Sequence, residues 1–68
     1  MVDKKIFRQI VKQAGETMGN AAAVMGLERT SLYRKLNGET DFYTREVEAF
    51  CKHYKANPLK VFFKGFTE

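Results

Sequence analysis

The stretch TMGNAAAVMGLERTSLYRKLNG, residues 17–38, holds two short helical patterns divided by a glycine. Thr17 suits a helix cap, and Met18 to Met25 reads as a helix with Ala21, Ala22 and Ala23 in its interior. Alanine favours helix and leaves little side chain between that helix and a neighbour. Gly26 interrupts the pattern, and Leu27 follows as an expected buried anchor. A second helix then runs from about Glu28 to Leu36 and ends at Asn37-Gly38, a pair suited to a C-terminal cap.

The second helix divides cleanly by angle. With Leu32 at zero and about 100° per residue, Leu36 falls near 40°, so these two leucines form the core seam. Arg29 lies near 60°, Tyr33 near 100°, Thr30 near 160° and Arg34 near 200°, which gathers them on one polar face. Such a face has the shape and chemistry a DNA major groove accepts, since arginine donates twice to guanine and threonine offers a hydroxyl or a methyl. An outward arginine taken alone is more often solvated or paired with a carboxylate such as Glu28, and Tyr33 also suits the edge of a core. The joint pattern, not any single side chain, points to DNA.

Outward from this pair, Ile6, Phe7, Ile10, Val11 and Ala14 recur at helical spacing after Asp3, a capping residue. Lys4, Lys5, Arg8 and Lys12 take the opposite face of that first helix, which Gly15 ends. On the other side, Glu39-Thr40-Asp41 leads through Phe42-Tyr43 to a helix from Thr44 to about Tyr54, with Val47, Phe50, Cys51 and Tyr54 on its apolar side. Asn57-Pro58 opens a final turn or short helix through Phe62 or Phe63. The expectation is an all-α fold of four to five helices in one domain, residues 1–68.

Composition bounds the function. A 68-residue chain with 44% hydrophobic residues, six Phe and three Tyr has material for one core. Twelve Lys and Arg against eight Asp and Glu give a formal charge of +4, which favours a polyanionic partner. The one cysteine, Cys51, has no internal partner and reads as a buried thiol in a reducing compartment. With no signal-like apolar run and no bilayer-length segment, a cytoplasmic protein is expected. His53 is the sole histidine and has no acid, nucleophile or second metal ligand near it in sequence, so neither an enzyme nor a metal or cofactor site is expected.

Ala22, Gly26 four positions on, Leu27 next and Leu32 five further, followed by Asn37-Gly38, resemble the helix-turn-helix of lambda-repressor and Cro-like DNA-binding domains. The stretch from Arg29 to Gly38, with Asp41-Phe42, Glu46-Val47 and Pro58 to Phe63, is similar to small regulators of Gram-positive phages and mobile elements. The resemblance spans nearly the whole chain. It implies a phage-type repressor that binds double-stranded DNA, with base-reading positions at Arg29, Thr30, Tyr33 and Arg34. It also implies phosphate contacts at Thr17 and Met18 and from Asn37 onward. Three departures from the pattern stand out. Met18 replaces a frequent glutamine, Glu28 replaces a small polar cap, and Glu39 with Asp41 make the following loop acidic.

Lys35, at the edge of the reading helix, and Lys4 and Lys5 on the first helix are further phosphate candidates. Phe62, Phe63 and Phe66 exceed what so small a core needs, and a homodimer through this C-terminal aromatic region would cover the excess. Two reading helices one DNA turn apart would then meet a pseudo-palindromic operator. Two rival functions share the fold: a protein-binding antirepressor or antitoxin-like module, and an accessory protein that bends DNA.

Overall fold

The computed structural model describes residues 2–63. Five helices follow in order: α1 Lys4–Gln13, α2 Met18–Val24, α3 Arg29–Leu36, α4 Thr44–Tyr54 and α5 Pro58–Val61. No strand occurs among the described residues, and no helix there is long and apolar enough to cross a membrane.

Several boundaries have a local cause. Asp3 Oδ1 accepts from the Ile6 amide and starts α1. Thr17 Oγ1 accepts from the Asn20 amide, while Asn20 Oδ1 accepts from the Thr17 amide, a reciprocal cap on α2. Asn57 Oδ1 accepts from the Leu59 amide ahead of Pro58, the first residue of α5. Glu28, the residue before α3, has an extended backbone (φ −80°, ψ 156°) and makes no side-chain cap bond, while its carbonyl accepts from the Leu32 amide, so α3 begins at Arg29.

The turn between α2 and α3 closes on Gly26, whose φ of +74° is costly for any residue with a Cβ. Its amide donates to Ala23 O and the Leu27 amide to Ala22 O, a glycine-ended turn that satisfies the last carbonyls of α2. The same bonding ends α3, with Gly38 donating to Lys35 O and Glu39 to Arg34 O. At the end of α4 the left-handed position is filled by Lys55, φ 56°.

Packing centres on rings. Phe7 of α1 stacks on Phe50 of α4 at 4.3 Å between centroids, and Phe62 meets Phe7, Phe50 and Phe42 edge-on. Phe7, Val11, Leu32, Phe50 and Val61 are the largest fully buried side chains. Ala21 and Ala22 are buried where α2 approaches its neighbours, which their small size permits. The Asp3 amide donates to Val61 O at 2.7 Å, joining the start of α1 to the end of α5.

Two expectations change, and the excess of C-terminal phenylalanines divides between core and surface. Cys51 is half-buried against the core, because it lies at the margin of the α4 apolar stripe. Leu27 is likewise half-buried, at the lip of the Gly26 turn. Phe62 enters the core, Phe63 stays exposed, and Phe66 lies outside the described residues.

Candidate nucleic-acid interface

Leu32, Lys35 and Leu36 form the buried side of α3. That arc spans about 100° of the helix, and the remaining surface carries Arg29, Thr30 and Arg34, all exposed. Tyr33 is half-buried, its ring packed against the core while it borders the exposed arc. The structure therefore sets Arg29, Thr30, Tyr33 and Arg34 side by side on a rigid element backed by α2.

Thr17 and Met18 lie at the start of α2 in a crevice that Arg8 and Lys12 of α1 and Tyr33 of α3 also line. The Thr17 hydroxyl is held in the α2 cap, where it also lies 3.0 Å from Asn20 Oδ1, and Met18 is half-buried against the core. Arg8 and Lys12, which the sequence placed on a basic face able to extend the electrostatic footprint or simply to meet solvent, share this crevice. Their membership follows from how α1 lies across α2, which helical periodicity does not encode. Glu16 reaches the same crevice, with its carboxylate engaged by α4.

Asn37 and Lys4 come together at the other end of α3. The Lys4 ammonium donates to Asn37 Oδ1 at 3.2 Å, so the first turn of α1 lies beside the last turn of α3. Lys5 is exposed and makes no polar contact with the α3 residues. Arg45 was not anticipated; its guanidinium lies 5.6 Å from the Tyr43 ring centroid, adding a cation near the start of α4.

Lys35 departs from its expected role as a phosphate contact. It is 8% exposed, and its ammonium donates to Asp41 O at 2.7 Å and pairs with Glu46 Oε1 at 3.2 Å. A lysine near −60° on α3 faces inward because the chain doubles back through residues 37–43 and brings carboxylate and carbonyl oxygens to it.

His53 also has a partner that linear order concealed. Glu16 Oε2 lies 3.1 Å from His53 Nε2, and the Tyr54 hydroxyl donates to Glu16 Oε1 at 2.8 Å. The Tyr54 hydrogen bond, then that of His53, holds the Glu16 carboxyl below its ordinary value of 4.5. Burial first, then the Glu16 carboxylate, pushes the Tyr54 phenol well above its ordinary 10. Among the described residues no group of His, Cys, Asp and Glu has the arrangement of a metal site. No protein-family model, curated protein or solved structure matches this chain.

Proposed function

We propose that this chain is a sequence-specific double-stranded DNA-binding protein, a lambda-repressor or Cro-like regulator of transcription acting in the cytoplasm. The observation that carries the reading is the exposed arc of α3. Arg29, Thr30 and Arg34 stand outward on a helix anchored by Leu32 and Leu36, with Tyr33 at their margin. An eight-residue helix with this face can place three or four side chains against base edges. Arg8 and Lys12 beside the start of α2, and Lys4 beside Asn37, supply cations at both ends of that face, suited to phosphates.

A homodimer on a pseudo-palindromic operator belongs to the same reading. Leu59 and Phe63, 48% and 39% exposed at the C-terminal end of the described chain, are candidates for its interface. Sedimentation of the protein alone and on a full operator checks this, and a monomer in both states removes the dimer.

Selection of binding sites from random duplexes with the purified protein tests the function directly. Enrichment of an inverted repeat is the expected result. No enrichment at low salt overturns it in favour of a protein-docking module, whose binding need not show the steep salt dependence of DNA contacts. The exposed Tyr43, Leu59 and Phe63 favour that second reading as apolar contacts, and the acidic Glu39 and Asp41 favour it because they repel phosphates.

A further inference from the structure

The DNA-reading proposal leaves one buried pair of charges unused. Lys35 is 8% exposed and Glu46 2%, and they meet at 3.2 Å beneath the loop that leaves α3. We propose that Lys35 and Glu46 form a positioning pair that sets the pitch of α3 against residues 37–43 and α4, and thereby governs sequence discrimination without touching DNA. Its functional consequence rests on the DNA-reading proposal; its structural consequence does not.

The pair ties three pieces of chain at one point. The Lys35 ammonium comes from the last turn of α3, donates to the Asp41 carbonyl in the loop, and pairs with Glu46 in the first turn of α4. The same Glu46 oxygen accepts from the Tyr43 amide at 2.9 Å, which closes the start of α4. The ammonium lies 4.4 Å from the Tyr43 ring centroid, so the aromatic face covers its remaining side. No buried side-chain nitrogen or oxygen among the described residues lacks a hydrogen-bond partner.

Stability alone does not explain such a pair. Desolvating two charges offsets most of their attraction, and well-packed apolar replacements are often as stable or more so. In this proposal the role of the directional bonds is to hold one geometry of the three segments they join. That matters here because α3 packs chiefly on α2, and the ion pair is a polar tie from its last turn to α4. Lys35 is flanked by Arg34 on the outward arc and lies two residues before Asn37, so a tilt at this turn moves the reading face.

The test replaces both residues by apolar ones, Lys35→Met with Glu46→Leu. The expected double variant unfolds cooperatively with a denaturation midpoint close to that of the unaltered protein, the gain from removing two buried charges offsetting the lost bonds to the Tyr43 amide and the Asp41 carbonyl. Amide exchange at Gly38 and Glu39, which donate to Lys35 O and Arg34 O, should accelerate by about tenfold. On the duplex recovered by selection, the ratio of specific to non-specific affinity should fall about tenfold, the scale of one lost base contact, with the salt slope unchanged. A retained ratio overturns the specificity role whatever the exchange shows. Should the double variant fail to fold, Glu46→Gln removes the charge while keeping an acceptor for Tyr43, and the same two readouts decide. If the unaltered protein selects no sequence, the DNA reading itself falls. Exchange then decides the structural part: acceleration supports positioning, and unchanged exchange overturns it.

Discussion

Arg29 and Arg34 differ from ordinary surface arginines in what lies behind them: a helix held by two buried leucines, so their origins are fixed even though their tips are solvated. Replacing either by Ala should leave the denaturation midpoint nearly unchanged, because exposed substitutions usually shift stability by less than about 0.5 kcal/mol. Under the proposed function, each replacement should cost about 1–3 kcal/mol at the selected site and less on unrelated duplex, measured by titration at fixed salt. The Glu16 carboxyl makes a separate prediction about pH. Its folded value lies below the ordinary 4.5, so the unfolded chain takes up a proton first as pH falls. The stabilisation is present above pH 4.5 and disappears on acidification below it. Glu16→Gln should flatten that acid limb of the urea midpoint, and an acid limb identical to that of the unaltered protein would remove Glu16 as its source. Tyr54, raised above its ordinary 10, acts at the other end, with stability lost as pH climbs past 10.

At the scale of elements, the turns decide where helices stop. A Cβ built at Gly26 meets nothing within 4 Å, so Gly26→Ala meets backbone strain and no clash. The expected loss is about 1–2 kcal/mol, read by chemical denaturation. Lys55 offers the mirror experiment: it holds φ 56° with a full side chain, and Lys55→Gly should stabilise by about 0.5–1 kcal/mol once the looser unfolded chain is counted. The contrast also marks what sequence order reveals. Gly26 and Gly38 announce helix ends by residue type, whereas nothing in Lys55-Ala56-Asn57 advertises a left-handed turn. There the left-handed Lys55 turns the chain between α4 and α5, with the Ala56 amide donating to Cys51 O, and α5 packs on α1 and α4.

The whole molecule is a ring-packed core with a basic surface spread over several elements. Its radius of gyration is 10.8 Å, close to the ~11 Å of a well-packed chain of this length. Phe50 touches Phe7, Tyr54 and Phe62, so truncation empties the centre. Phe50→Ala should cost about 3–5 kcal/mol. A chain of this size has only roughly 3–10 kcal/mol in total. Loss of cooperative thermal unfolding is therefore the expected outcome. The basic surface is tested by salt. Arg8→Gln with Lys12→Gln should lower the slope of log affinity against log salt by about 1.8 if both reach phosphates, equally for all duplexes. An unchanged slope would place the crevice beside α2 outside the interface.

Residue order by itself determined four helices and a final turn or short helix after Asn57, the caps at Asp3, Thr17 and Asn57, and the split of α3 into a leucine seam and an exposed polar arc. These are local matters, set by side chains within one turn of one another and by a period of about 3.6 residues. Tertiary structure alone decided that Lys35 turns inward to Glu46, that His53 and Tyr54 meet Glu16, and that Arg8 and Lys12 share a crevice with α2. Those partners lie up to 38 positions apart in the chain. Helical angle says which way a side chain leaves its own axis; where a second axis crosses is set by how Phe7, Phe50 and Phe62 pack. Lys35 shows the difference most plainly, since a lysine at the edge of a polar face is drawn inside only when folding brings a carbonyl and a carboxylate to meet it.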